Sequence, residues 1–241
     1  MLTLTPATHQ QWVLKIGGWA AVVGSVLGMV GNLLHPQTPI GDPLGTAEVI
    51  SRSNSWVSLH LIIVLGIFLM LFGLYALFRS ITGALPRVLG EFGMLAAVVG
   101  VTIGLVLVIM DGVGARQLAE EWALAPLDQQ ENALRIVAAN ETINFALASL
   151  FNLVFAGATF LLFGMAVAFG EDYPKWFGWV AVAAGVLSIG AGLVQAIAGE
   201  PTAASRTLTI IGPTVITIWL LALGTSLIRR SGGPSTEGET R

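Results

Sequence analysis

The chain has 241 residues, of which 55% are apolar and only 10% charged, with a mean hydropathy of +0.81. A soluble domain carries about 25% charged residues to solvate its surface, so most of this surface faces something other than water. The formal net charge of −3 offers no basic patch for nucleic acid, and the absence of cysteine excludes disulfides, thiolate metal sites and cysteine nucleophiles.

Continuous apolar runs at 12–34, 56–78, 88–110, 142–169, 176–197 and 207–228 are each long enough to cross about 30 Å of hydrocarbon. They are unbroken rather than alternating, so they predict helices and not barrel strands. The expected fold is an all-α membrane protein with six transmembrane helices, organised as one domain over 1–230 with a disordered cytoplasmic tail at 231–241.

The first run has only Lys15 near its start, is too long for a signal-peptide core and ends at Asn32-Leu33-Leu34-His35-Pro36 with no small-residue cleavage site, so it reads as a retained helix. Gly24 and Gly28 form a small-xxx-small pair within it. Pro36, Pro39 and Pro43 interrupt the first connection. Trp12, Trp56 and Trp176 stand at run ends, where interfacial anchors belong. Gly100 and Gly104 repeat the small-residue pair in helix three.

The third connection is acidic, with Glu120, Glu121, Asp128, Glu131 and Glu141. Gln117 to Leu124 and Asp128 to Ala139 are rich in helix formers, with Asp128 as the expected cap after Pro126. Helices three and four are therefore expected to project beyond the membrane as a helical hairpin. Lys15, Arg79, Arg87, Lys175, Arg229, Arg230 and Arg241 fall on the side of the N-terminus, against Arg52, Arg116, Arg135 and Arg206 opposite. Seven against four predicts cytoplasmic N- and C-termini.

Helices two and three resemble helices four and five. Phe92-Gly93 to Gly100-Val101 aligns with Phe177-Gly178 to Gly185-Val186, Pro86-Arg87 with Pro174-Lys175, and Leu71-Phe72-Gly73 with Leu162-Phe163-Gly164. Such a parallel repeated hairpin predicts a four-helix core with helices one and six packed on it.

Polar side chains within spans are costly and mark candidate function. They gather at one end: Asn32, His35, His60, Asp111, Arg116, Asn140, Glu141, Asn144, Asn152, Gln195, Glu200 and Arg206. At about 100° per residue, Glu141, Asn144 and Asn152 fall within about 80° of one another on helix four. The candidate ligand-binding mouth is His60, Asp111, Glu141, Asn144 and Asn152. The bland reading of the same groups is interhelical glue around a water-filled opening.

His35, before Pro36, reads as an interfacial anchor, and Asp111 and Arg116 as structural groups that pair with each other or with Glu141 across the contact of helices three and four. Asn140-Glu141-Thr142 matches a glycosylation acceptor. A bis-histidine haem would have to use His35 and His60. No His-x-x-x-His or His-Glu-x-x-His register exists, so no metal ligands are assigned. No catalytic residues are assigned either: there is no Gly-x-Ser-x-Gly elbow and no phosphate-binding glycine loop.

Trp56-x3-His60, the Pro86-Arg87 and Pro174-Lys175-Trp176-Phe177-Gly178-Trp179 turns, and Asp111-Gly112 closing helix three resemble families of six-span bacterial integral membrane proteins of unknown function. The resemblance spans most of residues 12–230 and implies a plasma-membrane location and no activity. Three classes of function follow. The favoured one binds or conducts a small solute or ion at an outward-facing mouth. The others are an accessory subunit with a membrane-protein partner or a homo-oligomer, and a haem- or metal-dependent membrane enzyme. The cofactor is left open, and the lipid bilayer is the expected surrounding of all three.

Overall fold

A computed structural model of the chain describes residues 6–232. Among these, all regular structure is helical, and six helices are long and apolar enough to cross a membrane. The protein is an all-α integral membrane protein. The spans are α1 (Pro6–Leu34), α3 (Trp56–Ser80), α4 (Ala84–Ile109), α6 (Gln130–Phe151) continued by α7 (Phe160–Phe169), α8 (Lys175–Ala198) and α9 (Ala203–Ser231). Most of the expected tail lies outside the described residues; α9 runs as far as Ser231.

The spans pack in chain order as a ring, α1 on α3, α3 on α4, α4 on α7, α7 on α8 and α8 on α9, and α9 returns to α1. Helices one and six are thus not appended to a four-helix core. They bridge α3 and α8. The landmarks aligned as a repeat also meet different surroundings: Gly73 lies against Ala21 of α1, whereas Gly164 lies against Val182 and Gly178 of α8.

Lipid is as apolar as leucine, so close backbone approach holds such helices together. A Cβ on Gly66 would come within 2.9 Å of the Gly24 oxygen and the Gly28 nitrogen, so the paired glycines of α1 are where α3 crosses it. Gly100 and Gly104 take the Phe155 and Phe151 positions of the neighbouring span in the same way. The central layer is large and apolar, with Leu74, Leu77, Phe160, Phe163, Leu220, Leu223 and Leu227 fully buried. Trp219 stacks on Phe177 and donates its indole N–H to the Phe177 carbonyl at 2.8 Å.

Helices three and four do project as a hairpin. α4 runs through a π-helical turn (Met110–Gly114) into α5 (Ala115–Leu124), and α6 starts at Gln130, well before its apolar stretch. Its N-cap is Gln129 rather than Asp128, because Pro126 accepts the Gln129 and Gln130 N–H groups and sets the turn later.

The proline-rich first connection contains α2 (Pro43–Arg52), which reading the prolines only as breakers overlooks. Pro43 occupies the first turn, where a missing N–H costs nothing. Asp42 accepts the Gly45 N–H at 2.9 Å as its cap. At its other end Arg116 Nη1 donates to the Ile50, Ser51 and Ser53 carbonyls. Arg116 therefore pairs with Glu120 and caps α2, instead of pairing with Asp111. α2, α5 and the start of α6 pack together as a cap over one end of the ring, around a second small core of Ile50, Trp56, Ala115 and Ala119.

Candidate functional site

Beneath this cap lies a cluster built from three separate elements. His60 sits one turn after Trp56 at the start of α3, so the two share a face. Its Nδ1 is 2.7 Å from the Trp56 carbonyl. A carbonyl can only accept, so Nδ1 carries a hydrogen, and in the neutral imidazole Nε2 presents a lone pair. His35 lies on the bend after α1, and its Nδ1 is 2.8 Å from the Pro36 carbonyl. The same argument leaves its Nε2 bare.

The two Nε2 atoms face each other at 3.2 Å. Asp111 Oδ2 stands 3.2 Å from the His60 Nε2. With both imidazoles neutral, three acceptor atoms converge with no donor hydrogen of their own among them, and a cation, either a metal ion or an added proton, reconciles them. His35 lies outside the span. Burial first, and then the charge of neighbouring His60, push its imidazole below its ordinary pKa, although Asp111 and the Pro36 carbonyl act the other way. The neutral, lone-pair form is favoured.

Asp111 owes its position to the π turn, a widened helical turn of the kind that recurs at functional sites. Trp56 is not the interfacial anchor its place at a run end suggested. It is 1% exposed and donates its indole N–H to the Asp111 backbone carbonyl at 2.8 Å. Its ring lies 4.7 Å from the His35 ring and 4.9 Å from the His60 ring. Trp12 and Trp176 do face outward, at 49% and 67% exposure.

Asn144 of α6 donates from Nδ2 to Asp111 Oδ1 at 3.3 Å. Its own Oδ1 is buried without a hydrogen-bond partner. Glu141 stands one turn earlier on that face and accepts from the Thr46 hydroxyl of α2 at 3.3 Å.

Of the residues singled out in the sequence, His60, Asp111 and Asn144 thus meet, with Glu141 one turn away toward the cap. Asn152 does not join them. It opens a second π-helical stretch (Asn152–Thr159) and donates to Thr209 of α9 at 3.2 Å, while Gln195 donates to the Phe145 carbonyl at 2.9 Å. These two are interhelical glue.

His35 is the residue that the sequence reading set aside. The available signal was depth, since it and His60 were the two histidines at one end of the spans. The donors come from a bend, a helix and a π turn, a combination that no local spacing such as His-x-x-x-His encodes. Among the described residues, His35, His60 and Asp111 form the one group of three or more His, Cys, Asp or Glu side chains able to hold a metal ion, with donor atoms within 4.8 Å of one another. A haem does not fit between the histidines. Its axial imidazoles lie on opposite faces of a wide macrocycle, whereas these rings meet edge to face at 4.8 Å.

No family model matches the chain, and no curated protein or solved structure proves similar to it.

Proposed function

We propose that this integral membrane protein binds one divalent transition-metal ion of the zinc class through His35 Nε2, His60 Nε2 and Asp111 Oδ2. This gives chemical identity to the ion expected at the polar mouth. One observation carries the reading: two imidazole Nε2 atoms face each other at 3.2 Å while each Nδ1 is committed to a backbone carbonyl. Donors about 2.0–2.1 Å from a tetrahedral zinc stand roughly 3.3 Å apart; the two Nε2 atoms, and His60 Nε2 with Asp111 Oδ2, already stand at 3.2 Å, and with all donors within 4.8 Å a shift of Asp111 toward His35 completes the set.

Imidazole donors suit zinc, iron or copper(II) rather than calcium or magnesium, which take oxygen. The Nδ1-to-carbonyl bonds are the outer-shell contacts that fix the tautomer of a metal-ligating histidine. Asn144 does the same for the carboxylate.

The excess of Lys and Arg on the side of the termini supports an orientation with both ends in the cytoplasm, and so a metal site on the opposite face. Titration of the detergent-purified chain with zinc against a chromophoric chelator tests the metal. The expected result is one ion per chain, with affinity lowered at least about 100-fold in His35→Ala, His60→Ala and Asp111→Ala. Sub-stoichiometric binding indifferent to all three would refute it.

A further inference from the structure

We infer that the metal's remaining coordination position holds a water activated for hydrolysis, oriented by Asn144 and deprotonated by Glu141, and that the centre cleaves carbonyl esters or amides. This rests on the metal reading above and says what the metal does.

Three protein donors are the number found in catalytic zinc sites, where a fourth place is left to water; structural sites use four. Asp111 keeps 38% of its side chain exposed, so this donor is not sealed inside the bundle. The independent sign of an occupant is Asn144. It is 92% buried, its Nδ2 is held on the carboxylate ligand, and its Oδ1 accepts nothing. An unpaired buried acceptor costs about 1–3 kcal/mol, and a metal-bound water, a donor with two hydrogens, removes that cost.

Glu141 precedes Asn144 by three residues, which on an α-helix means about 60° of rotation and roughly 4.5 Å of rise. The two therefore share one face of α6. The Glu141 carboxylate takes a single hydrogen bond, from Thr46, which leaves acceptor capacity free, and it is near enough to Asp111 for the two charges to interact. A carboxylate beside a metal-bound water is the arrangement that accepts its proton.

The reaction balances without any redox partner. Water bound to the metal gives a proton to Glu141, and its oxygen bonds to the carbonyl carbon. The C=O electron pair moves onto oxygen, where the metal holds the charge. The C–O or C–N bond to the leaving group then breaks, and the departing alkoxide or amine nitrogen takes the proton back from Glu141. The products are a carboxylic acid and an alcohol or amine. The substrate class is an uncharged ester or amide small enough to reach this end of the bundle.

The test uses the full chain in detergent, loaded with cobalt for spectroscopy and zinc for turnover, with 4-nitrophenyl acetate as the probe ester. Acetohydroxamate is expected to displace the water and change the visible cobalt bands. Zinc-dependent release of 4-nitrophenolate is expected, stopped by a chelator. Glu141→Gln should keep one metal per chain yet lose at least about 100-fold in rate, the usual contribution of general base catalysis. Asn144→Ala should bind zinc about 10–100-fold more weakly and, when saturated with metal, bind hydroxamate with altered affinity; unchanged hydroxamate affinity overturns its role in orienting the water. Bound metal with bands indifferent to hydroxamate means a closed site and overturns the inference while leaving the metal reading intact. So does bound zinc without hydrolysis, or Glu141→Gln hydrolysing at the wild-type rate. Failure to bind any metal overturns both.

Discussion

Gly112 lies directly against His60: a Cβ on Gly112 would stand 2.7 Å from the His60 Cγ and closer still to its Cβ. The π turn that carries Asp111 can approach α3 only because this position has no side chain. Gly112→Ala must push either His60 or the turn away, and overpacking of this kind costs about 1–3 kcal/mol. Zinc affinity should fall at least about tenfold, since small displacements of a ligand are poorly tolerated. Chelator competition on the folded variant measures it, and an unchanged affinity would mean that the π turn does not set the Asp111–His60 geometry.

The α1–α3 crossing depends on Gly66. Gly66→Val should destabilise the bundle by several kcal/mol, because its nearest neighbours are the backbone atoms of Gly24 and Gly28 and cannot rotate away. Gly190→Ala is the matched control, with one Leu208 methyl at 3.7 Å as its nearest contact. Thermal unfolding in one detergent should separate the pair clearly. Equal melting temperatures would remove the close-crossing argument.

Arg116→Met retains most of the apolar stem but takes the donor from three carbonyls at the end of α2. Hydrogen bonds to a charged group are worth about 1.5–3 kcal/mol each in a typical protein, so the cap should loosen before the spans do. Limited proteolysis is expected to cut between 36 and 55 in the variant and not in the parent. Cleavage there at equal rates in both would show that α2 is held by other contacts.

His35 gives the metal-free protein a pH dependence whose sign can be worked out. Its folded pKa is depressed by burial and by His60 of α3, against Asp111 of the π turn. The unfolded chain, titrating at about 6.5, therefore binds the proton more readily than the folded one. Stability from this group is fully present above about pH 6.5 and is lost as pH falls through the lower folded value. Thermal melts should drop between pH 7.5 and 5, and less steeply in His35→Asn. An identical slope in that variant would assign the dependence to other groups. With metal present the drop should sharpen, because protons compete for both Nε2 lone pairs.

Asn152 separates glue from site. Its bond to Thr209 joins the second π stretch to α9, away from the metal donors. Asn152→Leu should alter stability by roughly 1 kcal/mol in either direction, in line with interhelical hydrogen bonds in membranes, and leave zinc affinity unchanged. A loss of zinc binding would return Asn152 to the site.

The amino-acid sequence by itself determined the six spans, the helical hairpin beyond the membrane, the glycine-paired crossings and the gathering of polar groups at one end. Each follows from quantities summed along the chain: continuous apolar length, helix-forming composition, small residues four apart, polar positions on one helical face. Tertiary structure alone decided which of those polar groups meet. His35 reaches His60 across 25 residues, and His60 reaches Asp111 across 51. No periodicity links a bend, a helix face and a π turn. The prolines that made the first connection look broken start α2 at Pro43, and Trp56 is withdrawn from the interface because α2 and α5 cover it. Asn152 resembled Asn144 on a helical wheel, but eight residues carry it about 12 Å further along the helix, where it bonds to Thr209 of α9. Local chemistry placed the polar residues at the right depth, and packing in three dimensions chose their partners.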